Sequence, residues 1–275
     1  MVVNVYILNG VVKCARCGGY FGLSFLKLDI SDCLGDYFSS EFRSKLLFLR
    51  KIAYDKLRSD VFGSADKVLN LSFDDFKRFY ISLGRFYFRG VRFRVTPKNF
   101  LRVLDGFDVL ELKGAFERGE LRVEGNFSWF NLLGPARLLK RYWWRVRRVI
   151  SFLLFGDTET KIDDIGVGEV VGRLFRVLEG DLTCKGFARG LATPLLLICD
   201  TKDRLGVWNN VSDEALHLLG LKIRTRVVRS TNGYVNANML LNQLRDKYGF
   251  EDLADVDLFC WYCVKRSRGE DPFQI

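Results

Sequence analysis

A chain of 275 residues, 48% of them hydrophobic and 14% aromatic, can bury about three quarters of its unfolded surface, enough for one large domain or two modest ones. Its 43 Lys and Arg against 33 Asp and Glu give a formal charge of +10 and a pI near 9.3, so a polyanion or an anionic surface is the natural partner. Apolar runs such as 46–49 and 150–155 are short and interrupted, which excludes a membrane-spanning helix and a membrane partner.

The opening Met-Val-Val-Asn-Val-Tyr-Ile-Leu stretch has neither a basic leader nor a cleavage-like site, so no secretory signal is expected and the expected location is cytoplasmic. Segments 3–8 and 11–13 flank Asn9-Gly10, a hairpin signal for a small β element. After Gly35 the pattern turns helical, with helices predicted over 41–57 and, behind a Ser72-x-x-Asp75 cap, over 73–83. Residues 85–95 alternate, Val91, Phe93 and Val95 against Arg92 and Arg94, and predict strands around Gly90. The stretch 105–113 fits either element. Gly125, Gly134 and Pro135 punctuate a boundary before a long helix over 136–155, dividing the chain into an α+β region, 1–125, and a helical domain, 126–275. With four prolines and no low-complexity linker, the two halves are expected to pack together.

The helical domain carries the most informative stretch, Gly186-Phe187-Ala188-Arg189-Gly190-Leu191-Ala192. Gly186 and Gly190 flank a turn between an amphipathic segment, 167–182, and an apolar segment, 191–199, so helix, hairpin, helix is predicted. Glycines allow close backbone approach, and the start of the second helix presents N–H groups suited to a phosphate. After Asp200-Thr201-Lys202-Asp203 breaks the pattern, Ser212-Asp213-Glu214 opens a helix over 213–219 that ends at Gly220.

These residues resemble the helix-hairpin-helix DNA glycosylase superfamily, including the archaeal 8-oxoguanine glycosylases. The family pattern is a Gly-h-Gly-x-x-x-Ala hairpin, a helix, an apolar-Asp-x-x-Val step and a helix ending near Leu-Gly-Leu. Gly186, Ala188 and Ala192 take the hairpin positions and Leu219-Gly220-Leu221 the end, while Asp255 to Trp261 resembles the closing Asp-x-x-Leu-Trp helix. The stretch is also similar to helical domains found with restriction systems, where a Trp-Asn step precedes an Ala-Leu-x-x-Leu-Gly helix. The resemblance covers roughly residues 127–265 and implies a mainly α protein: a glycosylase-like C-terminal domain with a small β-containing N-terminal region.

It also implies a site whose catalytic side chains are missing. Asn209 falls where the family has its catalytic Asp, and Gly190 where bifunctional members carry the Schiff-base Lys. An amide neither stabilises a cationic sugar as an acid or base nor attacks it, so such a fold should bind DNA rather than cut it. Lys185 beside the hairpin and Asp213 beyond Asn209 are the candidates for a displaced glycosylase or lyase pair. In the binding reading, Lys185, Gly186, Ala188, Arg189 and Gly190 grip the DNA backbone, and Trp208, Asn209 and Asn210 line a base pocket. The alternative is a Gly-capped turn in which Asn209 and Asn210 only cap the next helix.

The second constellation is Arg137, Lys140, Arg141, Tyr142, Trp143, Trp144, Arg145, Arg147 and Arg148. At helical spacing Arg137, Arg141, Arg145 and Arg148 share one face, and Leu138, Tyr142, Val146 and Val149 another that can enter the core. Such a face offers phosphate contacts, and Trp143 or Trp144 could stack on a base; a solvated helix face with two buried tryptophans is the competing reading. A further basic strip follows at Lys222, Arg224, Arg226 and Arg229.

Other chemistry is weaker. Asp108-Val-Leu-Glu111-Leu-Lys113 resembles the Glu-x-Lys strand of restriction-type nucleases, where carboxylates hold Mg²⁺, with Asp105 and Asp108 as the available first acids. Seven cysteines, an odd number, argue against a disulfide framework. Cys14 and Cys17 have zinc-knuckle spacing and could pair with Cys260 and Cys263, although the latter two also read as a buried helix face beside Phe259 and Trp261. Cys33, Cys184 and Cys199 read as core residues, and the sole histidine, His217, as structural. No metal and no cofactor is expected, and the expected partner is duplex DNA.

Overall fold

The computed structural model describes residues 5–8, 11–14, 20–22, 30–78, 84–95, 99–127, 136–221 and 231–270; it is mainly helical, with two small antiparallel sheets. The first sheet is a meander of β1 (Val5–Leu8), β2 (Val11–Cys14) and β3 (Tyr20–Gly22), in which Leu8 pairs with Val11 across the two-residue connection that Asn9-Gly10 predicts. Cys17 lies outside the described residues.

Helix α1 (Ile30–Ser39) begins ahead of Gly35, and α2 (Glu41–Lys56) fills the predicted span before a π-helical turn at Leu57–Val61. Short helices α3 (Ala65–Leu69) and α4 (Phe73–Phe76) follow, each with a serine cap. The Ser72 hydroxyl accepts from the Asp75 N–H at 3.1 Å and donates to the Asp75 carboxylate at 2.6 Å, as the cap motif predicts. The rest of that predicted helix, 79–83, lies outside the described residues.

The second sheet has the order β5–β4–β6, with β4 (Gly84–Phe88) between β5 (Val91–Val95) and β6 (Leu121–Gly125). The β4–β5 hairpin turns through Arg89 and Gly90, both at positive φ (47° and 81°), the conformation that fits the strands' right-handed twist. Its inner face buries Phe86, Phe88, Leu121 and Val123, with Phe93 stacked on Phe86 at 5.0 Å. Between β5 and β6 the ambiguous segment is helical, forming α5 (Phe100–Asp105) and α6 (Val109–Glu117).

The remainder is helical: α7 (Ala136–Arg141), α8 (Trp143–Phe155), α9 (Val167–Leu178), α10 (Arg189–Cys199), α11 (Asn210–Leu218), α12 (Thr231–Tyr248) and α13 (Leu253–Ser267). The single helix predicted over 136–155 is broken at Tyr142, whose φ of −110° and ψ of 24° leave the helical region. Helix α13 is buried from Leu253 to Cys260 and again at Tyr262, Cys263 and Val264, as an all-round apolar helix should be, and it packs on α11, α12 and α1.

Contacts cross residue 126, where the sequence places a boundary. The Tyr37 hydroxyl and the Arg43 guanidinium donate to the fully buried Asp255 carboxylate on α13. Arg50 of α2 donates to the carbonyls of Phe127 at 2.7 Å and Ala254 at 2.9 Å, and α3 packs on α8. The buried apolar residues form one continuous cluster from Cys33 to Val264.

Candidate nucleic-acid interface

Helices α7 and α8 carry six cations and no acid: Arg137, Lys140, Arg141, Arg145, Arg147 and Arg148. Leu139, Val146, Val149 and Ile150 turn into the core, which directs Arg137, Lys140, Arg141, Arg145 and Arg148 to solvent; Arg147 is half-buried. None of the six meets a carboxylate among the described residues. Arginines elsewhere do: Arg176 is paired with Asp157 and Asp181, Arg204 with Asp200, Arg245 with Asp203 and Arg268 with Glu214.

The two tryptophans differ. Trp143 is partly buried against Phe73 and Phe76 and donates its indole N–H to the Leu71 carbonyl at 2.7 Å. Trp144 is 57% exposed, with the Arg148 guanidinium 5.8 Å from its ring centroid, and so presents a stacking face beside a cation. Leu138, placed on the inward face by the spacing, is 37% exposed because the break at Tyr142 changes the register between the two helices.

The basic face and the predicted hairpin are in contact. Between α9 and α10 the chain turns through Gly186, at φ 91°, where a Cβ would lie 3.2 Å from the Leu138 Cβ and 3.6 Å from the Leu139 Cδ2. Arg145 donates to the Thr183 carbonyl at 2.9 Å. Phe187 and Cys184 are buried and anchor the turn, leaving Lys185 and Ala188 exposed beside α7; burial pushes the Cys184 thiol up. Gly190 does not flank the turn but sits in the first turn of α10 with nothing near its missing Cβ.

The predicted base pocket is closed. Trp208 is 1% exposed, covered by the Arg189 guanidinium 4.2 Å from its ring centroid, and its indole N–H donates to Asp213. Arg189 in turn donates to Asp213 at 2.8 Å and to Asn210 at 3.1 Å, so its charge is already countered. Asn209 is the N-cap of α11, displacing Ser212 from that role: its side-chain oxygen accepts from the N–H groups of Val211 and Ser212, and the Ser212 hydroxyl accepts from the Asn209 N–H. Asn209 thus caps the helix, whereas Asn210 is exposed and accepts from Arg189. Of the displaced catalytic pair, Asp213 is held by Arg189 and Trp208, whereas Lys185 lies exposed in the turn.

The nuclease motif is overturned. Glu111 and Lys113 lie on α6, where residues two apart diverge, rather than on a strand; Asp108 caps that helix and Glu111 faces Arg89 at 3.4 Å. Asp105 ends α5, exposed. Cys260 and Cys263 are buried on α13; burial drives the Cys260 thiol far up, and a hydrogen bond with Cys33, then burial, do the same for Cys263; among the described residues no group of three His, Cys, Asp or Glu could hold a metal ion. Cys33 and Cys184 are core residues, Cys199 is partly buried, and His217 is exposed on α11. Lys222, Arg224, Arg226 and Arg229 lie outside the described residues.

One basic surface escaped sequence reasoning: the outer face of the second sheet, with Arg92, Arg94 and Arg122 around Tyr87. Its signal was the alternation of Leu121 and Val123 with Arg122 and Glu124, which marks β6. A cavity of about 140 Å³ lined by Arg58, Phe62, Leu154, Lys161, Asp163 and Cys199 holds none of the predicted site residues. No helix among the described residues is long and apolar enough to cross a membrane. Comparison with protein-family models, curated proteins and solved structures finds no match to the chain.

Proposed function

We propose that this chain binds duplex DNA through the α7–α8 face and the α9–α10 turn, and does not cut it. The observation that carries the reading is the set of six cations on α7 and α8 that meet no carboxylate among the described residues and are docked on a glycine turn. A surface on which protein carboxylates leave the cations free is suited to phosphates, and Arg137, Lys140, Arg141 and Arg148, with Lys185, supply the contacts. The order α9, turn, α10, α11 with a closing α13 supports a helix-hairpin-helix arrangement of the glycosylase type. Asn209 and Gly190 at the family's catalytic positions, and an Asp213 already bound on both oxygens, favour binding over cleavage. A role in repair or in restriction-like defence follows from the resemblance. A lesion or modified base would be read by the exposed Trp144 rather than by Trp208.

Duplex affinity should fall steeply with salt, and Arg141→Ala and Arg148→Ala should each reduce the slope of log affinity against log salt by about one. Arg145 is a poorer probe because it also holds the Thr183 carbonyl. Absence of binding near 50 mM salt, roughly the low-salt regime, or a slope that neither substitution moves, overturns the reading.

A further inference from the structure

Strand alternation places Arg85 and Tyr87 of β4, Arg92 and Arg94 of β5, and Arg122 and Glu124 of β6 on one face, opposite the buried Phe86, Phe88 and Val123. The register sets them in two rows. Tyr87 on the central strand pairs with Arg92 on one side and Arg122 on the other, and Arg85 pairs with Arg94 and Glu124. Glu124 is the one carboxylate in these rows, and it already serves both Arg78 at 2.9 Å and Arg85 at 3.7 Å. Arg92, Arg94 and Arg122 are exposed and have no carboxylate partner among the described residues.

Neighbouring strands are about 4.8 Å apart, so the backbones of Arg92 and Arg122 stand roughly 10 Å apart with the tyrosine midway. The Arg122 guanidinium lies 5.5 Å from the Tyr87 ring centroid, so the ring is already a stacking partner for a planar cation. A phosphate chain alone would need only the arginines. A half-buried aromatic ring set among exposed arginines is useful to a nucleic acid whose bases are unpaired, because a duplex keeps its base faces stacked inside. The exposed large apolar side chain of these strands, Val91, pairs with Phe88 on the opposite face, so the arginine face offers little to an apolar partner.

We propose that the outer face of the β5–β4–β6 sheet binds single-stranded nucleic acid, with one base stacked on Tyr87 and the flanking phosphates on Arg92, Arg94 and Arg122. The surface is separate from the α7–α8 face and stands whether or not that face binds duplex DNA. The segment 73–78 touches both: Phe73 and Phe76 of α4 pack on Trp143, and Arg78, just beyond the helix, reaches Glu124.

The test measures binding of a fluorescein-labelled oligothymidylate of about 12 nucleotides, a blunt duplex of the same length, and phosphatidylserine vesicles to the full chain. Tyr87→Ala should weaken single-strand binding about tenfold or more, while Tyr87→Phe stays within about twofold of the wild type. Arg92→Ala with Arg94→Ala, on exposed positions that leave the core untouched, should lower the single-strand salt slope by roughly 0.7 per lost contact. All three variants should keep their duplex affinity, and Arg141→Ala with Arg148→Ala should lose duplex affinity while Tyr87-dependent single-strand binding persists. The proposal is overturned if the wild type ignores the oligothymidylate, if neither the tyrosine nor the paired arginine variant changes its binding, or if the sheet variants lose only the vesicles or weaken duplex and single strand equally.

Discussion

Arg50 is a cation with almost no access to water, 1% exposed at its side chain, and its Nη2 has no hydrogen-bond partner among the described residues. Asp257, 3.5 Å away on α13, is the nearby countercharge. Burial pushes the Asp257 carboxyl up to about 6, with Arg50 restraining the rise. A folded-state value above the unfolded one means the native state holds the proton more tightly, so this group's stabilisation is full below about pH 4 and is lost as pH rises through about 6. Asp257→Asn removes that dependence. The substitution should therefore look more destabilising at about pH 4.5 than at about pH 7.5, by on the order of 2 kcal/mol, when urea unfolding of the two proteins is compared. A difference that does not vary with pH would mean that Asp257 titrates normally.

Among the described residues the other buried side-chain polar atom without a partner is the Tyr234 hydroxyl, whose ring is tilted on Trp208 at a centroid separation of 6.4 Å. Tyr234→Phe keeps the ring and removes a desolvated donor, so it should be neutral or stabilise by up to about 1 kcal/mol in thermal or urea unfolding. A loss of stability would reveal a partner for the hydroxyl.

At the scale of elements, two glycines that look equivalent in the sequence have different roles. Gly186 holds a positive φ of 91° against α7, whereas Gly190 lies in α10 with open space where a side chain would go. Gly186→Ala should cost about 1–2 kcal/mol and weaken duplex binding by loosening the turn from α7. Gly190→Ala should instead stabilise by about 0.5 kcal/mol, because alanine is the better helix former. Equal effects of the two substitutions on unfolding would contradict the placement of the turn.

The same contrast shows what could be read in advance. Short-range signals were legible: Leu8 and Val11 around Asn9-Gly10, the Ser72 cap, and the Arg89–Gly90 turn all depend on residues a few positions apart. Strand β6 and helix α12 were not anticipated. Residues 121–125 gain meaning as a strand from pairing with β4, whereas α12 does bury Tyr234, Ala237, Leu241 and Leu244 at helical spacing, a period diluted by the buried Thr231, Gly233 and Asn238 beside it. Asn238 is there for hydrogen bonds, accepting from the Gly206 N–H at 2.6 Å and donating to the Arg204 carbonyl at 2.9 Å. The site was legible as a list of cations but not as a set of available ones. Arg189 and Arg148 look alike in the chain, and only the fold brings Asp213, 24 positions on, to the first and no acid to the second.

For the whole molecule, the question is whether residues 126–275 make a domain by themselves. Asp255 sits in the first turn of the most buried helix, and its charge is met by Arg43 and Tyr37 of the first two helices and by the Glu251 N–H at 3.1 Å. Removing 1–125 would strip the carboxylate of its cation, expose Phe259 of α13 and Phe250 ahead of it, on which Tyr37 and Phe38 pack, and take away the Arg50 donors to the Phe127 and Ala254 carbonyls. Leaving a buried charge without its partner typically costs about 3–5 kcal/mol, a large share of a domain's total stability. The fragment 126–275 should therefore show no cooperative unfolding transition, and Asp255→Ala in the full chain should lower stability by about that amount in a single transition, since both halves share the network. Urea unfolding followed by tryptophan fluorescence and by far-UV circular dichroism checks both expectations. A fragment that unfolds cooperatively and still binds duplex DNA with the full chain's salt slope would restore the boundary at 126, and with it a helical domain that carries its function without the N-terminal region.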